Sequence, residues 1–334
     1  VSAEQAALEV LRSGPQSLFQ DLGRPGLASM GVGRSGAADR ASLHAVNALL
    51  GNDSGCAVIE SVLGGLSLRA HGEVVLAVAG APAAVTVDGE AVGGGGPVEL
   101  RDGQVIKVGS PKRGLRTYVA VRGGFDAPRV LGSCSTDTLS GVGPPPIARG
   151  DHLAVGEVST DSEGSVDAAH FAASAHSADP GGPGGSAGSA APAAAAAAAV
   201  SSAPALWDLD AVEPLSLTVI PGPRDDWFAS PSDLGVGEWV VSPHSNRVGV
   251  RLDRPQDADH ADAPALRRND SRELQSEGVT LGAIQVPPSG QPVLFLADHP
   301  VTGGYPVIGV VRSDEIDLAA QVRPGQRVRF RFPG

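Results

Sequence analysis

Residues 157–205 constrain the fold more than any other feature of this 334-residue chain. The segment is made of Ser, Ala, Gly and Pro, with DPGGPGGSAGSAAPAAAAAAAVSSAP at its centre. It has no apolar period and cannot bury enough surface to offset the entropy of ordering it. Its alanine run is too short for a helix that is stable alone. The segment therefore reads as a linker, with a flexible reach of about 40 Å for roughly 50 residues. That exceeds most gaps between adjacent domains, so any docking of the flanking halves, 7–156 and 206–334, has to come from their own surfaces.

Both halves read as mainly β. In the first, EVVLAVAG, AAVTVDG, GQVIKVG and RTYVAVRGG are short β-branched runs bounded by Gly, Asp or Pro, the pattern of strands joined by tight turns. In the second, LSLTVIPG, GEWVVSP, NRVGVRLD, PVLFLADH, YPVIGVV and QRVRFRF repeat it. Aromatic residues make up only 4% of the chain, so Val, Leu, Ile and Ala must fill the cores. Two helices are expected. Residues 40–50 place Leu43, Val46, Leu49 and Leu50 at helical spacing, with Asp39 as N-cap and Gly51 as stop. Residues 313–321 have Ser313 as N-cap, acids in the first turn and Pro324 beyond. Short strands at even spacing with one helix per half predict two barrel-like or sandwich-like β domains.

A net charge of −12 argues against nucleic acid or an anionic membrane as partner. Lys107 and Lys112 are the only lysines, and neither belongs to a phosphate-binding P-loop. An anion would be held by Arg, a helix N-terminus or backbone N–H groups. Cys56 and Cys134 are too few for a disulfide framework or a cysteine zinc site, and no histidine spacing suggests a metal. The start of the sequence lacks a signal-peptide pattern and no apolar run is long enough to span a bilayer, which makes cytoplasmic the expected location.

There is no H-E-x-x-H helix or C-x-x-C pair. What remains are polar residues in glycine turns, where the backbone can approach a ligand closely. Residues 19–40 carry Gln20, Asp21, Arg24, Arg34, Ser35 and Asp39; as an alternative they form a surface hairpin with a helix cap. Residues 123–141 carry Ser133, Ser135, Thr136 and Asp137, or simply a hydroxyl-rich loop. In GPRDDWF, Arg224 is suited to grip a carboxylate with both arms, and the acids to cap a short helix. Asn246 and Arg247 open a strand. Residues 273–306 form the longest such constellation, with Gln285, Ser289, Asp298, His299, Thr302 and Tyr305. If the strand LFLADH continues through its acid and imidazole, only one of Asp298 and His299 can face a site.

In these clusters the chain resembles the biotin-dependent carboxyltransferase family that includes allophanate hydrolase subunit 2, KipA-type proteins and the C component of bacterial 5-oxoprolinase. The matching words include QDLGRPG, GRSGAADR, NALLGN, RGGFDAPRVLGS, GPRDDWF, SNRVGVRLD, ELQSEGV, GAIQVPPSGQPV and DHPVTGGYPVIGVV. The resemblance implies two cyclophilin-like β-barrel domains. It implies a partner resembling allophanate hydrolase subunit 1, which is also described as KipI-like or as the B component of 5-oxoprolinase, and a third oxoprolinase component. It also implies ATP-assisted opening of 5-oxoproline to glutamate, with urea or allophanate carboxyl transfer, or a non-catalytic KipA-like antagonism of a kinase inhibitor, as rivals.

No cofactor is expected to be covalently attached: neither Lys is flanked by Met, so any biotin arrives on a separate carrier, and ATP binds elsewhere in the complex. Both reactions build negative charge on a carbonyl oxygen, so fixed donors are required. Arg24, Asn246 and Gln285 are the expected donors, and His299 or Asp39 the expected proton handlers. That makes Asp39, His299 and Arg24 the catalytic candidates. Gln20, Asp21, Ser35, Asn246, Arg247, Gln285, Ser289, Thr302 and Tyr305 are the substrate-binding ones, with no metal.

The linker reading has a direct test. Deleting 179–202 is expected to leave thermal unfolding and partner co-purification unchanged; loss of folded protein would show that the segment is structural.

Overall fold

The structure, a computed structural model, describes residues 5–93, 95–156, 214–256, 264–269 and 272–333. The linker assigned to 157–205 lies outside the described residues, as does the expected start of the second domain.

The first half contains β1 (Ala7–Ser13), β2 (Gln16–Gln20), α1 (Arg40–Leu50), β3 (Val58–Val62), β4 (Leu66–His71), β5 (Val74–Gly80), β6 (Val85–Val87), β7 (Glu90–Ala91), β8 (Val98–Leu100), β9 (Val105–Val108), β10 (Arg116–Val121) and β11 (His152–Ala154). They form two sheets, one in the order β11-β1-β4-β9-β6-β7 and one in the order β2-β3-β10-β5-β8. Leu8, Val10, Leu68 and Ile106 from the first sheet share a core with Ile59, Leu76, Val119 and Val121 from the second. Pairing is antiparallel throughout, including β10 with β3 and β5.

All six residues of β10, RTYVAV, are buried. The period of two explains why. Val119 and Val121 face the shared core, while Tyr118 and Ala120 face outward under α1, beside Leu43, Val46 and Leu50. α1 runs where the apolar spacing placed it. Asp39 accepts from Ser42 N at 2.9 Å, and Gly51 ends the helix in the left-handed conformation at φ 68°.

The second half contains β12 (Leu215–Pro221), β13 (Trp239–Val241), β14 (Gly249–Asp253), β15 (Glu277–Gly278), β16 (Ala283–Gln285), β17 (Val293–Phe295), β18 (Thr302–Gly303), β19 (Val307–Val311), α2 (Ile316–Ala319) and β20 (Arg327–Arg331). Seven of these strands close a barrel in the order β12-β19-β16-β17-β14-β13-β20, sealed by the parallel pair β20–β12. β15 and β18 make a separate two-stranded ribbon.

Three local expectations need correction. α2 is shorter than 313–321: a 3-10 turn (Ser313–Glu315) leads into it, and Ser313 makes no cap. The acids of GPRDDWF do not cap their 3-10 turn either, although Phe228 is buried in the barrel core. Arg224 does grip a carboxylate with both arms, but it is Glu277 of the same chain.

The two halves meet at a seam built on β3 and β10, on the face opposite the first core. Because Ile59 points inward, its neighbour Glu60 points to the seam, and it is 1% exposed. There Glu60 accepts from Tyr118 Oη at 2.9 Å and Ala38 N at 3.0 Å. Arg247, opening β14 of the other half, reaches across. Its Nη1 meets Glu60 at 2.5 Å, its Nε and Nη2 each meet Asp298 at 2.9 Å, and Nη2 also donates to Gly36 O at 2.6 Å. Asp298 in turn accepts from Ser35 Oγ at 2.7 Å and from Thr138 N and Oγ1 at 2.9 and 2.7 Å. Burial opposes charge on all three groups. The mutual attraction outweighs it, holding both carboxyls below their ordinary range and the guanidinium above its own.

Arg247→Ala strands the buried Asp298 and leaves Glu60 with Arg116 alone, and is expected to cost about 3–5 kcal/mol in urea denaturation. Arg247→Met combined with Asp298→Asn removes that pair while Glu60 keeps its ion pair with Arg116, and is expected to recover part of that loss. A single variant as stable as the parent would show that the pairs do not hold the seam.

Candidate active site at the seam between the two β domains

The segment from Gly33 to Arg40 crosses the seam, and its conformation positions the residues around it. Ser35 sits at φ 54° and Gly36 at φ 96°. A non-glycine residue held there costs on the order of 1–3 kcal/mol and persists only where its surroundings enforce it. Ser35 is enforced by its Oγ, which donates to Asp298. Gly36 is required, since a Cβ would lie 2.9 Å from Gly23 N and Leu22 C. Packing this kink against the other half buries Ser35 and leaves Arg34 exposed at the rim.

A cleft of about 170 Å3 opens here. The first half lines it with Arg34, Ser35 and Arg40, and the second with Val279, Thr280, Leu281, Ala297 and His299. The opening of α1 forms one edge. Two acids converge on that helix terminus. Asp39 is the cap, accepting from Ser42 N and Oγ, while Asp317 from α2 accepts from Arg40 N at 2.8 Å and Ala41 N at 3.3 Å. The second half thus caps the helix of the first. Gln321 fastens the same corner, donating to Asp39 Oδ2 at 2.7 Å and accepting from Leu115 N and Arg116 N at 2.9 and 2.8 Å. Burial and the neighbouring Asp317 push the Asp39 carboxyl up to about 7. Burial raises Asp317 too.

The residues singled out in the sequence distribute as follows. Ser35 and His299 line the cleft, Asp39 precedes Arg40 at its edge, and Arg247 lies behind Ser35 through Asp298. The strand LFLADH ends at Phe295, and Asp298 already belongs to a turn in which His299 N bonds to Leu296 O. The acid enters the seam and the imidazole faces the cleft, with Nδ1 2.8 Å from Pro300 O.

Gln20, Asp21 and Arg24 form a second buried cluster with Ser133, Ser135 and Thr136. Asp21 accepts from Ser133 Oγ, Ser135 Oγ, Cys134 N and Gly23 N, knotting loop 133–136 to the end of β2. Arg24 Nη2 donates to Ser135 O, whereas Arg24 Nη1 and Gln20 Oε1 are buried with no hydrogen-bond partner. The clusters share the Thr136 carbonyl, 2.9 Å from Gln20 Nε2 and 3.4 Å from Ser35 Oγ.

Gln285 donates to Tyr305 O, and its amide lies against Gly303, where a Cβ would stand 2.5 Å from Nε2. It thereby braces the ribbon of Thr302, which carries Val279 to the cleft wall through Val279 N to Val301 O at 2.9 Å. Thr302 and Tyr305 are exposed. Asn246 and Ser289 do not line the cleft. Asn246 closes a turn by accepting from Val248 N and Gly249 N, and Ser289 accepts from Gln291 N.

Arg40, which lines the cleft, and Glu60, Arg116, Asp317 and Gln321, which brace the seam beside it, are residues that no sequence pattern singled out. The available signal was an acid inside the apolar strand VIESV, which only a both-faces-buried strand with a cationic partner can carry. Among the described residues no group of three His, Cys, Asp or Glu side chains is placed to hold a metal. Nor is any helix among them long and apolar enough to cross a membrane.

Comparison with known proteins identifies the family. The family described as carboxyltransferase domain, subdomain A and B, matches residues 30–332. The chain is 30% identical to the C component of 5-oxoprolinase from Escherichia coli over 97% of its length and 90% of that protein. It is 30% identical to urea amidolyase of Saccharomyces cerevisiae over 98% of its length, but spans only 17% of that protein. Among solved structures, the urea amidolyase of K. lactis superposes with a TM-score of 0.76 at 26% identity, over 99% of this chain and 19% of that one. TTHA0988 superposes at 0.72 and 28%, over 99% and 57%.

The raised Asp39 carboxyl has a signed consequence. Between its ordinary value of 3.8 and about 7, the folded state holds a proton that the unfolded state has released. This contribution to stability is present in full at low pH and is lost as pH rises through that window. Asp39→Asn cannot ionise, so its stability relative to the parent is expected to climb from pH 4 to pH 7 and then level off. A pH-independent difference in chemical denaturation would overturn the assignment.

Proposed function

Because this chain belongs to the carboxyltransferase-domain family and spans both its subdomains, we propose that it acts as the C component of a 5-oxoprolinase-type complex, which opens 5-oxoproline to glutamate with ATP. The observation that carries this reading is extent. The similarity runs over nine-tenths of the C component of the Escherichia coli 5-oxoprolinase, whereas the urea amidolyases match it over a sixth of their length. A carboxyltransferase-like role within an enzyme complex follows from the family itself.

In this reading the reaction uses the seam cleft, because both halves contribute its walls. Opening a lactam puts negative charge on the carbonyl oxygen and requires a proton at the departing nitrogen. Fixed donors at the oxygen are each worth about 3–4 kcal/mol of barrier. Arg40 and Arg34 supply cationic donors at the cleft, and His299 is the lining side chain suited to proton transfer. Asp39 acts through the helix terminus rather than by facing the cleft. ATP is assigned to another component of the complex, since this chain has no P-loop, and any biotin to a separate carrier. The partners are a chain like the B component of 5-oxoprolinase and a third oxoprolinase component. The urea amidolyase similarity keeps a urea or allophanate carboxyltransferase role as the rival.

The test is reconstitution. Co-expressed with its B-type partner and the remaining component, the chain is expected to support ATP-dependent release of glutamate from 5-oxoproline. His299→Ala is expected to reduce it by about 100-fold or more, the usual scale of a lost general acid or base, with assembly intact. Tight partner binding without turnover would favour a KipA-like antagonist, and turnover of urea with a carboxylated carrier would favour the rival.

A further inference from the structure

The cleft has a one-sided charge pattern. Arg34 and Arg40 both line it, and among the described residues no Asp or Glu does. Among the described residues neither arginine is in a salt bridge, whereas Arg247 is paired with Glu60 and Asp298 and Arg116 with Glu60. Arg34 makes one long contact, 3.4 Å from Nε to Leu22 O. Arg40 is half-buried, and burial together with repulsion from Arg34 holds its guanidinium below its ordinary value, with Asp317 as the only opposing influence. Asp317 spends both of its oxygens on the backbone of Arg40 and Ala41. Two like charges are therefore set close enough to repel, on opposite ends of a segment whose kink at Ser35 and Gly36 the seam enforces.

The rest of the lining defines the body of the ligand. Val279, Leu281 and Ala297 are apolar, and Thr280 and His299 bring one hydroxyl and one imidazole. The volume of about 170 Å3 is well below the roughly 300–1,000 Å3 of pockets that enclose drug-sized ligands. A planar carboxylate matches guanidinium geometry, and a compact ring fits the apolar wall.

We propose that Arg34 and Arg40 form a carboxylate subsite for a small, compact monocarboxylic acid carrying an amide, and that this subsite excludes neutral substrates such as urea. The inference deepens the 5-oxoprolinase reading and rests on it for the identity of the acid. The acid's carboxylate bridges the two arginines and its ring lies on Val279, Leu281 and Ala297. Its amide is then turned toward Thr280 and His299. The small volume favours a free acid over the carboxylated ring of a carrier, which would present the same group.

Calorimetric titration of the full chain tests this, with 5-oxoproline, 2-pyrrolidone (the same lactam ring without the acid), urea, lactate, inorganic phosphate and biotin methyl ester. 5-Oxoproline is expected to bind, while 2-pyrrolidone and urea bind at least 10-fold more weakly. Arg34→Gln and Arg40→Gln are each expected to weaken 5-oxoproline by about 10-fold or more with unchanged melting temperature, and to leave 2-pyrrolidone unaffected. If 5-oxoproline fails but lactate binds in an arginine-dependent way, the subsite stands and the 5-oxoprolinase reading falls. If no carboxylate binds, or the variants bind as the parent does, the subsite falls whatever the assembled complex turns over. Displacement of 5-oxoproline by equimolar phosphate or by biotin methyl ester would reassign the cleft and overturn the proposal.

Discussion

One guanidinium carries the arrangement of the two halves. Arg247 leaves the barrel at the start of β14 and ends between Glu60 of the first domain and Asp298 of its own, with a backbone carbonyl filling its remaining reach. Each of these charges would be costly to bury alone, and the whole set is tolerable only while every member is present. The seam is thus specified by charge and geometry, with a small apolar contact of Ala38 against Ala297 and Ala320 beside them. Buried ion pairs add little net stability but strongly penalise misalignment, since a shifted domain would strand a carboxylate.

The same constraint explains the conformation next to the cleft. Gly36 offers its carbonyl to Arg247, and Ser35 offers its hydroxyl to Asp298. Anchoring both on one ion pair keeps the kink in a backbone region that Ser rarely occupies. The kink separates the side chains on either side of it: Ser35 turns into the seam and Arg34 out to the rim. α1 begins four residues later, with its terminus capped from both domains, by Asp39 and by Asp317. Sequence, backbone strain, interdomain packing and cleft chemistry are therefore linked through fewer than ten residues.

Much of the fold was legible because its signals are local. The strand runs of the second half, from LSLTVIPG to QRVRFRF, became barrel strands, and Asp39 capped the helix its spacing announced. The strands β1 to β4 were not singled out, because their runs, such as VIESV and LSLRAH, are broken by charged residues that only the folded sheet explains. Cross-domain contacts were the least legible part. Gln321 imitates a strand partner for Arg116 with its side-chain amide, and Asp317 caps a helix 277 residues away in sequence. Neither choice leaves a periodic trace. Ser35, His299 and the pair Asn246–Arg247 were visible as polar residues in glycine turns. The pattern could not say that Arg247 faces inward to a carboxylate while Asn246 merely closes its turn.

The electrostatics of the cleft gain meaning from those of the whole chain. A net charge of −12 repels small anions at long range, yet fields from exposed charges fade beyond about 8 Å at physiological ionic strength. Capture of a carboxylate is therefore decided within the cleft, where the acids around it are occupied: Asp298, bonded to the lining Ser35, is paired with Arg247. Asp317 is committed to backbone N–H groups, and the raised Asp39 carboxyl is largely protonated below pH 7. Both acids lie at a helix terminus, whose partial positive charge offsets their own. The arginines are left to act on whatever enters. An anion entering there meets two guanidiniums that have no salt-bridge partner among the described residues, an attraction that a neutral substrate cannot draw on.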